Sequence, residues 1–164
     1  MHPLFLSCGL LCDEVIWADV PQRLADVADV HVVSFSGFSS LESMARQILL
    51  AAPPRFALAG HSMGGRVALE VWRRAPERIT GLGLLNTGVH PLREAEHHSR
   101  ALLVHLARTR GMRALAAQWL PPLMGASDAR MPNLGASWFT VTGNRIVAGE
   151  MVDLAEAEPS GRAL

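Results

Sequence analysis

The sequence predicts an α/β fold with a mostly parallel sheet flanked by helices, and two patterns predict it. Short apolar runs, one of them rich in β-branched residues, are bounded by glycine or proline. Between these runs, apolar residues recur every three or four positions, as they do on one face of a helix. Strands that alternate with helices form βαβ units, whose strands pair in parallel and carry helices on both faces. The length of 164 residues favours a single domain large enough to bury a core.

Four strands and three intervening helices follow from these patterns. The first helix falls within residues 13–28 and is interrupted by Pro21, which lacks a backbone N–H. The second begins after Ser40, a predicted N-cap residue, and the third fills residues 63–75 and ends before Pro76. The predicted strands span residues 4–8, 30–35, 56–59 and 79–85. The predicted inward faces are Leu41, Met44, Ala45, Ile48 and Leu49 on the second helix, and Val67, Ala68, Val71 and Trp72 on the third.

From residue 93 to residue 120 the pattern is helical only, with a break predicted at Gly111. Its apolar stripes are Leu102, Leu103 and Leu106 before the break, and Met112, Leu115, Ala116 and Trp119 after it. Periodicity is then lost, apart from a short strand at 138–141 and a weak helix at 152–157. The sequence therefore predicts a core in residues 1–91, a helical lid segment in 92–124 and an irregular, poorly ordered tail in 125–164.

The most informative motif is Gly60-x-Ser62-x-Gly64, which stands between the third strand and the third helix. A serine at such a strand-to-helix turn is exposed in a strained backbone conformation, which suits a nucleophile. Side chains two positions before and after it would collide, so glycine is expected at both positions. Gly65 adds a second small residue where the helix leaves the sheet. The alternative is a glycine-rich turn in which Ser62 is an ordinary helix N-cap.

Composition argues against several classes of function. The formal net charge is zero, so no nucleic-acid partner is expected. Cys8 and Cys12 lack the second pair that a zinc site needs, and both are expected to be reduced in a cytoplasmic protein. The N-terminus lacks the basic region of a signal peptide, and no apolar run approaches the length of a membrane span. We expect no metal and no cofactor.

Four segments taken together resemble the α/β-hydrolase fold family, in particular its short, lid-bearing, esterase- and lipase-like members. Their order and spacing match that family as well as their residues do, over about the first 120 residues. The pattern is lost after about residue 125, as in a truncated or altered member. The segments are Cys8–Asp13 with Trp17 beyond it, the strand ending at Phe35, Gly60–Gly65, and Arg74–Ile79 leading into Leu84-Leu85-Asn86-Thr87.

The resemblance implies acyl transfer on an ester-type substrate. Ser62 would be the nucleophile and would form a covalent acyl-enzyme. The backbone N–H groups of Met63 and of Leu10, which follows Gly9, would stabilise the oxyanion. His61 is adjacent to the nucleophile and is interpreted as a packing or pocket-lining residue. The apolar lid stripes suggest a small molecule with an apolar acyl or alcohol group.

The sequence departs from the family in its base and its acid, which should follow Ser62 in the order acid, then histidine. The later histidines all precede Asp128 and Asp153, and Asn86 stands where some members carry the acid. His90 is the nearest candidate base, although a surface-loop histidine is the favoured interpretation. The histidines in question are His90, His97, His98 and His105.

Two functions follow from these observations. The first is a serine hydrolase whose activity as a single chain is in question, because no Asp-then-His pair follows Ser62 or because it needs a partner to supply the base. The second is a catalytically silent remnant that binds small apolar ligands or a partner. In both cases the predicted strand at 79–85 leaves an open sheet edge, through which the chain is expected to associate with itself.

Overall fold

The computed structural model describes residues 1–89 and 94–123, and its centre is a four-stranded parallel sheet. The sheet order is β2–β1–β3–β4, and the three pairings are all parallel, as predicted. The register places Ser7 opposite Gly60 and His61 opposite Leu85, so the carboxyl ends of three strands lie together at one edge. The strands are β1 (His2–Ser7), β2 (Ala28–Val33), β3 (Phe56–His61) and β4 (Ile79–Leu85).

Helices connect the strands at the predicted positions, with one difference. The predicted helix at 13–28 is a short 3₁₀ helix followed by a separate α-helix, with Pro21 in the first turn of the latter. Proline is favoured there because the first N–H groups of a helix have no partner to lose. The helices are α1 (Val20–Leu24), α2 (Leu41–Ala51), α3 (Met63–Arg74) and α4 (Glu94–Trp119), with 3₁₀ turns at Glu14–Trp17, Pro76–Arg78 and Pro121–Leu123.

The N-cap predicted for α2 is confirmed, because the Ser40 hydroxyl accepts a hydrogen bond of 3.1 Å from the Ser43 N–H. The buried face of α2 is Met44, Ala45 and Ile48, and that of α3 includes Val67, Ala68 and Val71. The prediction for Trp72 was wrong, since 44% of its surface is exposed. Trp72 lies one residue beyond Val71, about 100° around the helix axis and at the margin of the buried face.

Hydrogen bonds from Arg78, the residue before β4, link the start of β4 to the end of α2. Its guanidinium donates hydrogen bonds to the carbonyl oxygens of Leu49, Ala52 and Pro53 at 3.0, 2.7 and 2.9 Å. The last carbonyls of a helix have no partner within the helix, and a cation also interacts favourably with the helix dipole there. The same guanidinium lies 5.5 Å from the centre of the Phe56 ring, on the buried strand β3.

The chain divides into two compact units, Met1–Val89 and His90–Leu164. Within the second, α4 departs from helical geometry at Gly111, where φ is 81° and ψ is 174°, so the predicted break is present. The predicted first stripe is misplaced, because Leu102 is exposed whereas Val104 and Ala107 are buried. After the break, Met112, Leu115 and Ala116 are buried as predicted. The tail at 125–164, with its predicted strand and helix, lies outside the described residues.

β4 is the least covered strand of the sheet. Among the described residues it pairs with β3 alone, and Leu82, Leu84 and Leu85 are each about two-fifths exposed (38%, 44% and 43%). No helix in the described part of the chain is long and apolar enough to cross a membrane.

The buried face of α2 gives a direct test of this packing. Ile48→Ala is expected to lower the free energy of unfolding by about 2–5 kcal/mol, because Ile48 is fully buried and its removal leaves a cavity. Leu50→Ala on the same helix should change it by less than about 0.5 kcal/mol, because Leu50 is 82% exposed. Urea denaturation measures both values, and equal losses would contradict the assignment of this face.

Candidate active site

Ser62 occupies the turn between the end of β3 and the start of α3. Its φ of 54° and ψ of −119° lie outside the regions that non-glycine residues prefer. The Ser62 N–H donates to the Leu85 carbonyl at 2.9 Å, and the Ser62 carbonyl accepts from the Gly65 N–H at 3.0 Å. Although Ser62 stands at the N-cap position of α3, its side chain makes no capping hydrogen bond. The hydroxyl is therefore not used as an ordinary cap, which argues against the alternative interpretation of the motif.

Gly60 and Gly64 are required by close backbone contacts on both sides of Ser62. A Cβ on Gly60 would collide with the Gly64 carbonyl and lie 2.5 Å from the Gly65 nitrogen. A Cβ on Gly64 would collide with the Ser7 carbonyl and lie 2.5 Å from the Cys8 carbonyl oxygen. The backbone of the first turn of α3 thus packs directly against the ends of β1 and β3, and a residue larger than glycine at either position would prevent this contact.

The turn after β1 lies beside the serine. A Cβ on Gly9 would be 3.3 Å from the Ser62 Cβ and 3.1 Å from the His61 Nδ1. Leu10, the predicted oxyanion donor, follows Gly9, and its N–H has no backbone acceptor within residues 1–89. Met63 is the first residue of α3, where backbone N–H groups have no partner in a preceding turn. The structure therefore brings Gly9, Leu10, Ser62 and Met63 into one region.

His61 is the last residue of β3 and is partly buried beside the turn that contains Gly9. Its Nδ1 is buried and has no hydrogen-bond partner among the described residues. Burial lowers the pKa of His61 below its usual value of 6.5, because the charged form loses its hydration. The imidazole is therefore neutral at pH 7.

Cys8 and Cys12 are free thiols in the same turn. Burial raises the pKa of each thiol to about 12, because the thiolate would lose its hydration. Both thiols stay protonated at neutral pH and are poor nucleophiles. Cys8 instead donates a hydrogen bond of 3.2 Å from its Sγ to the Asp13 carbonyl.

In the part of the chain that the structure describes, Ser62 has no hydrogen-bonded base. Within the described ranges, no hydrogen bond joins the Ser62 Oγ to a histidine, and His90 lies outside those ranges. His97, His98 and His105 belong to α4 in the second unit. Asn86 follows β4 with a φ of 53°. Across residues 1–89 and 94–123, no group of three or more His, Cys, Asp or Glu side chains is arranged to hold a metal ion.

Comparison with known proteins supplies sequence relatives for part of the chain. No protein-family model matches it. The pimeloyl-[acyl-carrier protein] methyl ester esterase of Klebsiella pneumoniae (strain 342) is 35% identical in an alignment 87 residues long, and the match covers 48% of this chain and 34% of that protein. The protein of the same name from Pectobacterium carotovorum subsp. carotovorum (strain PC1) is 36% identical over the same length. The match spans about a third of the length of these curated relatives.

Solved structures match almost the whole chain. A thermophilic esterase from Thermogutta terrifontis superposes with a TM-score of 0.77 at 21% identity, covering 95% of this chain and 64% of that one. The enol-lactonase from Burkholderia xenovorans LB400 gives 0.76 at 23% identity, covering 99% and 66%. The chain therefore has the α/β-hydrolase fold. MenH from S. aureus, with a TM-score of 0.75 at 20% identity, shares the fold as well (93% and 65% covered).

Sequence reasoning missed two hydroxyl groups that hold the strand-to-helix turn of this fold. The Ser7 Oγ donates to the Gly64 carbonyl at 2.8 Å, and Ser7 is fully buried. The Thr87 Oγ1 donates to the Ser62 carbonyl at 2.6 Å. Their position in the sequence could have indicated this role, since each is a polar residue at or just after the carboxyl end of an apolar strand. That edge is where α/β folds build their sites.

The close contact at Gly60 makes a prediction about stability. Gly60→Ala is expected to lower the free energy of unfolding by at least about 2 kcal/mol, because the added methyl group overlaps the backbone of α3. Gly81→Ala on β4 is the matched control, since its Cβ would meet only the Ala57 Cβ at 3.9 Å. It should change stability by less than about 1 kcal/mol. Chemical denaturation compares the two, and a well-tolerated Gly60→Ala would contradict this geometry.

Proposed function

We propose that this chain carries the nucleophile of a serine ester hydrolase, with Ser62 attacking the ester carbonyl carbon. The observation that carries the proposal is the backbone of Ser62, held at a φ of 54° between β3 and α3 with its hydroxyl unused as a cap. Strained conformations of this kind persist where the surrounding structure imposes them, and they cluster at active sites. The relatives that match the chain at 35–36% identity are named esterases, which supports the same chemistry.

The reaction would run through an acyl-enzyme. The Ser62 Oγ bonds to the carbonyl carbon as its proton passes to a base, and the carbonyl oxygen becomes an oxyanion. The N–H groups of Met63 and Leu10 would stabilise that oxyanion. The intermediate collapses as the alcohol leaves with a proton, and water then releases the acid and restores the serine.

The proposed reaction needs a general base that accepts the proton of the Ser62 hydroxyl. His90 is the proposed candidate because it follows β4 most closely, yet the chain encodes no Asp-then-His pair after Ser62. Loss of the base and acid from such an enzyme lowers the rate by several orders of magnitude, while oxyanion stabilisation and binding retain about 10³–10⁴-fold over water. We therefore propose that the chain alone reacts slowly with esters.

The proposed substrate is an ester with an apolar acyl or alcohol group. The names of the sequence relatives specify a methyl ester of a pimeloyl group attached to acyl-carrier protein. That ester has a methyl group as its alcohol and a hydrocarbon chain in its acyl part, and so fits the class predicted from the apolar stripes. The whole relatives are about three times longer than the matched segment, so this substrate is a proposal for the chain.

A fluorophosphonate probe tests the assignment of the nucleophile, because an activated serine oxygen displaces fluoride from its phosphorus and becomes covalently phosphonylated. The purified wild-type chain is expected to be labelled, and Ser62→Ala should remove the label completely. Ser36→Ala is the control, since Ser36 is an exposed serine that should leave labelling unchanged. Intact-mass spectrometry counts the adducts. A folded wild-type chain that takes up no probe would refute the hydrolase proposal and favour the catalytically silent remnant.

We also propose that β4 mediates association of two copies of the chain. Unpaired strand edges present N–H and C=O groups to other strands, and β4 adds exposed leucines to such an edge. Sedimentation velocity should detect a concentration-dependent dimer in the wild type. Leu84→Lys should shift the population to monomer, whereas Leu50→Lys on α2 should not, because Leu50 is remote from the edge in sequence and already 82% exposed. A wild type that stays monomeric would refute the association.

A further inference from the structure

We propose that Thr87 is a positioning residue that orients an oxyanion donor through the backbone of Ser62. Thr87 lies in the clasp loop, which we define as residues Asn86–Gly88 directly after β4. The inference rests on the proposed role of Ser62 as nucleophile and of the Met63 N–H as oxyanion donor. It assigns a function to a hydroxyl that lies outside the reacting groups.

The clasp loop and the end of β4 hold Ser62 from both sides of its Cα. On the amino side, the Ser62 N–H donates to the Leu85 carbonyl at 2.9 Å. On the carboxyl side, the Thr87 Oγ1 donates to the Ser62 carbonyl at 2.6 Å. Because one bond fixes each side, both φ and ψ of Ser62 are constrained. A strained conformation needs this double constraint, since a residue held at one end alone could relax.

The Ser62 carbonyl and the Met63 N–H belong to the same peptide group. That group is planar and trans, so its C=O and N–H bonds point in opposite directions as a rigid unit. A hydrogen bond that fixes the carbonyl of Ser62 therefore fixes the direction of the Met63 N–H. Thr87 would orient the oxyanion donor without contacting the substrate. The Gly65 N–H also donates to this carbonyl, at 3.0 Å, and Thr87 adds the shorter of the two bonds.

The surroundings of Thr87 are shaped to bring its hydroxyl to this carbonyl. A Cβ on Gly65 would lie 2.6 Å from the Thr87 Cβ, so a larger residue in α3 would push Thr87 away. Asn86 turns the chain with a φ of 53° as it leaves β4. On the far side of Thr87, the Arg66 Nε donates to the Gly88 carbonyl at 3.0 Å. The clasp loop is thus hydrogen-bonded to Ser62 through Thr87 and to α3 through Gly88.

Two substitutions separate the hydroxyl of Thr87 from its bulk. Thr87→Val keeps the shape and removes the donor, whereas Thr87→Ser keeps the donor. We expect Thr87→Val to lower the maximal rate of fluorophosphonate labelling at Ser62 by about tenfold or more, with little change in the half-saturating probe concentration. Thr87→Ser should retain the rate within about threefold, by the same criterion. Thr80→Val is the matched control, because Thr80 is an exposed threonine earlier in β4.

Circular dichroism first verifies that each variant is folded. The assignment would be overturned if Thr87→Val were labelled at the wild-type rate, or if Thr87→Ser and Thr87→Val lost the same share of the labelling rate. If the wild type itself takes up no probe, the proposed function fails and amide hydrogen exchange tests the clasp alone. In that case the amide hydrogens of Ser62 and Gly65 should exchange about tenfold faster in Thr87→Val than in the wild type, while the exchange rates of the β1 amides stay unchanged. Unchanged exchange at Ser62 and Gly65 would overturn the clasp as well.

Discussion

The contact on which the rest of this structure depends is that between the first turn of α3 and the carboxyl ends of β1 and β3. The backbone of Gly64 lies against the carbonyls of Ser7 and Cys8, and the backbone around Gly64 and Gly65 leaves no room for a side chain at Gly60. Ser7 strengthens the contact with a buried hydrogen bond to the Gly64 carbonyl. Because the backbone of α3 contacts the backbone of the strands with no side chain between them, the chain has to turn within one residue, and that residue is Ser62.

This contact also explains why the site is assembled at one edge of the sheet. Parallel strands deliver their carboxyl ends to the same side, so the turn after β1 and the loop after β4 both reach the residue that follows β3. Gly9 approaches Ser62 from one strand, and Thr87 approaches it from the other. Three segments far apart in sequence are therefore brought together by the register of the sheet.

Much of the fold could be predicted from the sequence, because periodicity and backbone-breaking residues act locally. The four strands, the cap at Ser40 and the break at Gly111 depend on neighbouring residues alone. The error at Trp72 arose at the margin of a buried face, and Leu102 was assigned to the wrong side of α4, since packing partners decide which side of a helix is covered. In the site, the glycines around Ser62 could be predicted from sterics. The hydrogen bonds from Ser7 and Thr87 could not, because they join residues 57 and 25 positions apart.

The backbone of Ser62 has a consequence for the balance between stability and chemistry. At a φ of 54° and a ψ of −119°, glycine would meet no steric penalty, whereas a residue with a Cβ does. Strain of this kind is worth about 1–3 kcal/mol, a large share of the 5–15 kcal/mol that separates folded from unfolded chains. The protein thus places a side chain at a position where its fold would be more stable with none. This loss of stability fits the proposed role of residue 62, in which the hydroxyl of serine matters more than the packing of its side chain.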